Sequence, residues 1–509
     1  MKLNKLKNTK QNLIFGFAQK IYQLLLSFVF RSIMVHALGV QYLGLNGLFA
    51  SILLVLNLAE LGVGSAMVFS MYRPIAEDDS NKICALLRLY KLYYRVIGAV
   101  ILVVGGLLTP LIPELINGEI PSNINIYILY WLHLGATVLT YWLFAYKNSV
   151  LEAHQQRSVI SKVTLITDTI KYLLQFLALI IFRNYYFYVL SILLSQALCN
   201  IITAIVSHKL YPHYRPHGHL EASERRTITR RISDLFTLKL GSVIVSSSDT
   251  LVISYALGLR PLAIYQNYFY LVRAARSFIT IINASVLAGI GNSMLTKSEE
   301  ENYRDFRSFM FIEFWIFGFC VCCFSSLLQP FMVLWMGGDL MLDYPFVIIL
   351  CLYFLGYEYV TSMSVYKDAC GIWHQDRFRP LVCGLTELTV SFILAHFLGL
   401  FGVVLGVFLV GSLISAPWIT QNIFNHIFKH ERIVGHIKDI SFYLLVIICS
   451  AIVINLLCGL IPGIGIFSFA VKFLISVFCS NGLFALTYCK NPLFKESITV
   501  LKRMLNLAK

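Results

Sequence analysis

Apolar residues fill the chain in long runs, separated by short clusters of charged residues, proline and glycine. A helix needs about 20 consecutive apolar residues to cross the hydrocarbon core of a bilayer, where the backbone must satisfy its own hydrogen bonds. Fourteen runs meet that demand: 13–35, 43–71, 88–112, 124–146, 161–182, 185–207, 232–257, 262–292, 306–329, 344–366, 380–398, 401–425, 438–460 and 464–488. The pattern predicts an all-α polytopic membrane protein of about 14 transmembrane helices.

Composition agrees with that class. The 509 residues are 58% hydrophobic and 13% charged, with a mean hydropathy of +0.73, whereas an ordinary soluble domain carries about 25% charged residues. The net charge of +15 would suggest nucleic acid in a soluble protein. Here nearly all Lys and Arg outside the runs fall in alternate connections, and the opposite loops hold only Arg183 and Arg260. The positive-inside rule then predicts a multi-pass membrane protein with both termini cytoplasmic. The outer loops are short and offer few carboxylates (Glu114, Glu119, Asp339, Asp343), which argues against a catalytic domain outside and for a transporter rather than an enzyme. Of the 12 cysteines, Cys320, Cys322 and Cys323 crowd one apolar run, and the cysteines read as packing residues. No metal or cofactor is implied. The His208, His213, His217 and His219 tract reads as a solvated linker, and the segment 221–236 as an amphipathic helix on anionic lipid.

The chain repeats itself. A shift of 219 lays Lys20 on Lys239, Ser27 on Ser246 and Ala37-Leu38-Gly39 on Ala256-Leu257-Gly258, and a shift of 220 lays Tyr146-Lys147-Asn148 on Tyr366-Lys367-Asp368. Gly62-Val63-Gly64 through Met67 recurs as Gly289-Ile290-Gly291 through Met294. The matches join runs six apart, so both halves enter the membrane in the same sense, as in parallel-repeat transporters. The expected plan is two six-helix lobes, residues 1–219 and 220–430, related by a pseudo-two-fold along the membrane normal with a substrate site between them. Residues 431–509 add two further helices and a cytoplasmic tail.

Ionisable groups at bilayer depth cost upward of about 2.5 kcal/mol and mark candidate functional positions. Lys20, Gln23, Ser27 and Arg31 share one helical face, and Lys239, Ser242, Ser246 and Asp249 repeat it. The second run carries Asn46, Asn57, Glu60 and Gly64 on a stripe, the eighth Tyr270, Arg273 and Arg276. Asp168 is spaced to pair with Lys171, and its repeat position is Glu387. The candidates for substrate binding are Arg31, Arg273, Arg276, Lys20, Lys239, Gln23 and Tyr270. Glu60, Asp168, Asp249 and Glu387 are candidates for ion coupling or helix pairing. Competing structural roles stand beside these: Arg31 with Glu60 or Asp249 with Arg273 as fastening pairs, Lys20, Lys239 and Lys472 snorkelling to the interface, and Tyr268 and Tyr270 in an aromatic belt.

The stretch from Arg31 to Pro74 is specific in wording. It reads Leu38-Gly39, Tyr42-Leu43-Gly44-Leu45-Asn46-Gly47-Leu48-Phe49, Ala59-Glu60-Leu61-Gly62-Val63-Gly64-Ser65-Ala66 and Tyr72-Arg73-Pro74. It resembles the bacterial O-antigen and polysaccharide (Wzx-type) flippases of the multidrug/oligosaccharidyl-lipid/polysaccharide exporter (MOP) superfamily. The resemblance implies translocation of an undecaprenyl-pyrophosphate-linked oligosaccharide for O-antigen or capsule synthesis by alternating access, with H⁺ or Na⁺ coupling left open. It implies membrane lipids as partners, with a polysaccharide polymerase or ligase as further candidates and no nucleic acid. The rival readings are a multidrug and toxin cation antiporter of the same superfamily and a membrane glycosyltransferase or polymerase. Arginine suits pyrophosphate oxygens, and the near balance of charge within the runs leaves the antiporter open.

Overall fold

The computed structural model describes residues 5–60, 62–117, 120–463 and 465–494, and the side chains of these except 5–10, 12, 13, 59, 231, 233–235, 237–239, 242 and 288. Leu61 and Glu119 thus lie outside the described residues, and Lys239 and Ser242 outside the described side chains.

The described chain is helical: α1 (Lys5–Ala37), α2 (Val40–Leu56), α3 (Val63–Ala76), α4 (Ser80–Leu108), α5 (Ile126–Trp142), α6 (Asn148–Ala153), α7 (Arg157–Ile180), α8 (Tyr185–Leu210) and α9 (Ala222–Leu257). There follow α10 (Leu259–Thr296), α11 (Glu299–Met336), α12 (Tyr344–Ala369), α13 (Trp373–Asp376), α14 (Arg379–Val410), α15 (Ala416–His426), α16 (Ile433–Gly459) and α17 (Ile466–Tyr488). Side-chain caps start several of them. Asp79 accepts from Lys82 N ahead of α4, Asn125 and Asn184 cap α5 and α8, and Ser298 with Glu301 forms a capping box on α11.

Among the described residues, nine helical segments are long and apolar enough to span a membrane, or ten if the bent pair Ile126–Trp142 and Ala145–Ala153 counts as one span. Each of the fourteen expected runs nevertheless falls on a helix or helix pair. The difference has physical causes. The segment Trp373–His426 holds two expected runs joined across Gly399, whose φ of 57° interrupts the helix. The second run is broken between α2 and α3. The seventh run forms the end of α9, continuous with the basic segment expected to lie on lipid as a separate helix.

The chain divides into two compact units, Met1–Ala263 and Ile264–Lys509. In the first, α7 packs on α1 and α8, α5 on α4 and α8, α2 on α9, and α3 on α4 and α6. Gly44 lets the backbone of Leu259 pass where a Cβ would collide with it. The loop before α5 closes the end of α9: Asn117 N donates to Ser254 O (3.1 Å) and Asn117 Nδ2 to Ala256 O (3.0 Å), satisfying carbonyls that a helix end leaves open. The His-bearing linker after α8 lies against the same unit. Lys147 Nζ donates to Tyr214 O (2.8 Å), Arg88 Nη1 donates to Gly218 O (3.0 Å), and the His154 ring meets the Tyr211 ring, tilted by 36°, at 4.1 Å between ring centres.

In the second unit α11 is central, contacting α12, α16 and α17, while α12 packs on α14 and α15. The two C-terminal helices are seated by an aromatic cluster of Phe311, Trp315, Tyr443, Phe484 and Tyr488. Gly318 on α11 keeps this contact close, since a Cβ there would lie 2.6 Å from Phe484 Cζ and 2.8 Å from Ile447 Cγ1.

The repeated Leu-Gly motif recurs in conformation. Gly39 and Gly258 both turn the chain between two helices with positive φ, 117° and 93°, a region that glycine enters without a Cβ penalty. The other repeated glycine motif does not recur in this way: Gly62 breaks its helix, whereas Gly289–Met294 stays inside α10.

Candidate functional site

The distinctive wording of the second run folds into an interruption rather than a stripe. After α2 the residues Asn57–Glu60 tighten into a 3₁₀ turn, and Gly62 takes a left-handed φ of 90° before α3 begins. A broken helix frees backbone groups and redirects the chain, a construction tolerated at membrane depth only where protein or a wet cavity accepts it. Glu60 therefore departs from the helical face expected for it and sits on the turn itself.

Its carboxylate is held by phenols. Tyr94 donates to Oε1 at 2.8 Å and Tyr141 to Oε2 at 2.9 Å, with Asn57 Oδ1 3.1 Å away as a second acceptor for Tyr141. Tyr90 donates in turn to the Tyr94 hydroxyl at 2.6 Å. Tyr90 and Tyr94 are one turn apart on α4, and Tyr94 meets Tyr141 edge to face at 5.3 Å. Hydrogen bonds to a charged group contribute about 1.5–3 kcal/mol each, so the two phenols fix the carboxylate without a cation. Gly64 makes room for the arrangement: a Cβ there would come within 3.2 Å of the Tyr90 hydroxyl.

Beside this cluster lies a cavity of about 580 Å³, lined by Glu60, Gly64, Tyr90, Tyr94 and Tyr141 together with Ser65, Val68, Phe69, Tyr72, Thr140, Ala145, Asn148, Ser149, Glu152 and Asn200. Its far wall comes from the bend between α5 and α6, where the axis turns by 47°. Phe144 at the bend has a φ of 57°, a conformation uncommon outside glycine. Trp142 anchors the turn by donating from Nε1 to Arg95 O at 3.2 Å over Gly98, where any Cβ would strike the indole. The bend thereby brings Asn148, Ser149 and Glu152 to the cavity.

Of the residues expected to act, Glu60 alone lines this cavity. Gln23 and Asp168 meet elsewhere in the first unit: Gln23 Nε2 donates to Asp168 Oδ2 at 2.8 Å, and Lys171 Nζ reaches Asp168 Oδ1 at 2.7 Å. The expected Asp168–Lys171 pair is formed within α7, and the Gln23–Asp168 hydrogen bond ties α1 to α7. Arg31 is half-buried on α1 and Lys20 exposed. Asp249 is buried and accepts from Thr250 N at 2.7 Å.

In the second unit Arg276 is committed to a buried cluster. Its Nε lies 3.1 Å from Glu358 Oε1, its Nη1 donates to Tyr353 at 2.9 Å, and its guanidinium stacks 3.4 Å from the centre of the Tyr357 ring. Glu313, also buried, accepts from Ser362 at 2.7 Å. Arg273 is exposed, with its guanidinium 4.7 Å from the Phe269 ring on its own helix. Tyr270 lies 6.4 Å from Trp335, ring to ring, and Glu387 is buried. Tyr268 leaves the expected aromatic belt: it is fully buried and donates to Gln329 Oε1 at 3.0 Å. Among the described residues no group of three His, Cys, Asp or Glu could hold a metal.

The sequence pattern does not single out Tyr90, Tyr94, Tyr141, Glu152 or Asn200. The i, i+4 spacing of Tyr90 and Tyr94 was visible, but a tyrosine in an apolar run counts as hydrophobic. Glu152 lies between the runs 124–146 and 161–182, where the sequence pattern predicts a connecting loop.

No family model matches the chain, and no curated protein matches it. Solved structures do. A lipid II flippase, MurJ, in an inward closed conformation superposes with a TM-score of 0.70 at 14% identity, covering 94% of this chain and 99% of that one. An inward-facing multidrug resistance MATE transporter of the MOP superfamily gives 0.63 at 16% identity, covering 80% and 94%. A MOP superfamily transporter from Pyrococcus furiosus, described as having a binding pocket of reverse polarity, gives 0.54 at 13% identity, covering 82% and 96%. At these identities the likeness is one of fold: the chain is a multi-pass membrane protein built on the MOP transporter fold.

Proposed function

We propose that the protein is a flippase that moves an undecaprenyl-pyrophosphate-linked oligosaccharide across the bacterial inner membrane for surface polysaccharide synthesis, by alternating access. The observation that carries this reading is the tyrosine-walled polar cavity at the Glu60 break, set in a fold shared with a lipid II flippase. Tyrosine presents both a flat apolar face and a polar edge, which suits sugar rings. A cavity of about 580 Å³ falls within the range that holds small organic ligands. The helices carry exposed apolar side chains such as Leu107, Leu173, Leu456 and Phe478, so a prenyl tail can remain in lipid while the headgroup moves.

In this reading Arg31 and Arg273, with Lys20 and Lys239, meet the pyrophosphate, because its charge cannot enter hydrocarbon unmatched. Glu60, Asp168, Asp249 and Glu387 are the groups assigned to H⁺ or Na⁺ coupling. The two-lobe division at residue 219, the cytoplasmic placement of both termini and a polymerase or ligase partner belong to the same proposal.

A second reading, a cation exporter, is favoured by one observation: the charged residues lining the cavity are Glu60 and Glu152, with no Lys or Arg among them. Deleting the gene separates the two. Accumulation of a lipid-linked glycan facing the cytoplasm supports the flippase. Normal surface glycan with reduced ethidium efflux supports the exporter and overturns the first reading. Complementation with Glu60→Ala should restore surface glycan at least about tenfold less well than wild type, since at least one charge-assisted contact is lost.

A further inference from the structure

Around Glu60 the cavity wall is one-sided in its hydrogen-bonding chemistry. The Tyr90 proton goes to Tyr94, the Tyr94 proton to Glu60 and the Tyr141 proton to Glu60 or Asn57. The protons of these three phenols are therefore spent inside the wall, and what their oxygens still offer is lone pairs. The Glu152 carboxylate lines the cavity without a hydrogen-bond or ion-pair partner among the described residues. Asn200, 6% exposed, donates its amide nitrogen to Thr140 O at 2.8 Å and keeps Oδ1 without a described partner in the lining. Asn148 Oδ1 is likewise buried without a partner.

An acceptor-rich wall with two carboxylates and no basic side chain selects a ligand that donates and is positively charged. A neutral acetamido group supplies one N–H and turns a carbonyl toward the carboxylates, leaving acceptors facing acceptors, an arrangement that penalises the wrong ligand. A primary ammonium supplies three donors and a charge. The aromatic faces of Phe69 and Tyr72 in the same wall add favourable contact for a cation.

We infer that the headgroup received by this cavity carries a free, protonated amino group on a sugar, engaged by Glu60 and Glu152; this rests on the flippase reading above. The same chemistry is offered by a free organic cation, so the test has arms for both sources. Full-length protein in nanodiscs is titrated with a glucosamine tetramer and with its fully N-acetylated counterpart. The expected result is at least about tenfold tighter binding of the amine form, with Glu152→Gln removing most of that preference. Glu60 is tied into the fold through Tyr94 and Tyr141, whereas Glu152 has no described partner to lose, so the Glu152→Gln variant keeps the test decisive if a Glu60 variant fails to fold.

Equal affinity for the two tetramers, or a preference untouched by Glu152→Gln, overturns the inference. Mass spectrometry of the lipid-linked glycan in the deletion strain separates it from the underlying reading. A glycan with a free amine supports both. A glycan without one overturns the inference and leaves the flippase standing. Intact surface glycan, ethidium displacing the glucosamine tetramer and reduced ethidium efflux together overturn both and assign the amine chemistry to a free cation.

Discussion

Arg276 offers a sharp test of how this protein uses charge in its interior. Its side chain is 18% exposed and that of Glu358 1%, and the Glu358 oxygens make no other hydrogen bond among the described residues. Substituting Arg276→Ala removes the ion pair at 3.1 Å, the hydrogen bond to Tyr353 at 2.9 Å and the stack on Tyr357 at 3.4 Å, and strands a carboxylate. Breaking one side of a buried pair costs about 3–5 kcal/mol. For a unit of this size each kcal/mol lowers the midpoint by about 2–4 °C, so the apparent Tm should fall by about 6–20 °C. Replacing both partners by apolar residues of similar size, Arg276→Met with Glu358→Leu, leaves no unpaired charge and should recover most of the loss. The assay is the thermal midpoint of purified protein in detergent for wild type, both single variants and the double. Should Arg276→Ala leave the midpoint within about 2 °C of wild type while abolishing export, the residue is a substrate ligand and the structural assignment fails. A double variant as unstable as the singles refutes the argument from stranded charge.

Asp168→Ala leaves Lys171 and Gln23 without their shared partner and should destabilise the first unit by about 3–5 kcal/mol, whereas Asp168→Asn, which still accepts a hydrogen bond, should cost less; thermal midpoints of the two variants decide it. Gly318→Val drives side-chain atoms into Phe484 and Ile447 and should cost at least about 1–3 kcal/mol, read as easier proteolytic separation of α16 and α17 from α11. Gly62→Ala places a Cβ on a residue with φ of 90° and should cost about 1–2 kcal/mol. Surface glycan should fall in that variant before protein level does, since the strain sits at the Glu60 turn.

How much of this could be read in the sequence follows from what lipid demands. Long apolar runs are forced on any helix that crosses a bilayer, so the fourteen segments were legible, and so was the Leu-Gly turn shared by Gly39 and Gly258, because a repeated glycine at a helix junction marks a left-handed φ. The break at Asn57–Gly62 was hidden, since Asn57, Glu60 and Gly64 keep helical spacing through it and hydropathy carries no record of backbone angle. The carboxylate explains why the break and the tyrosines occur together. A charged group at membrane depth must find partners, and no described basic side chain pairs with Glu60. The turn aims Glu60 at α4 and α5, where Tyr94 and Tyr141 supply protons that two apolar helices could otherwise not offer, and the missing Cβ of Gly64 lets Tyr90 complete the chain. The wording Glu-x-Gly-x-Gly and the tyrosines of helices distant in sequence are therefore one physical object. Only its first half could be seen along the chain, because the second half is defined by which hydroxyl a carboxylate can reach once the helix has been interrupted.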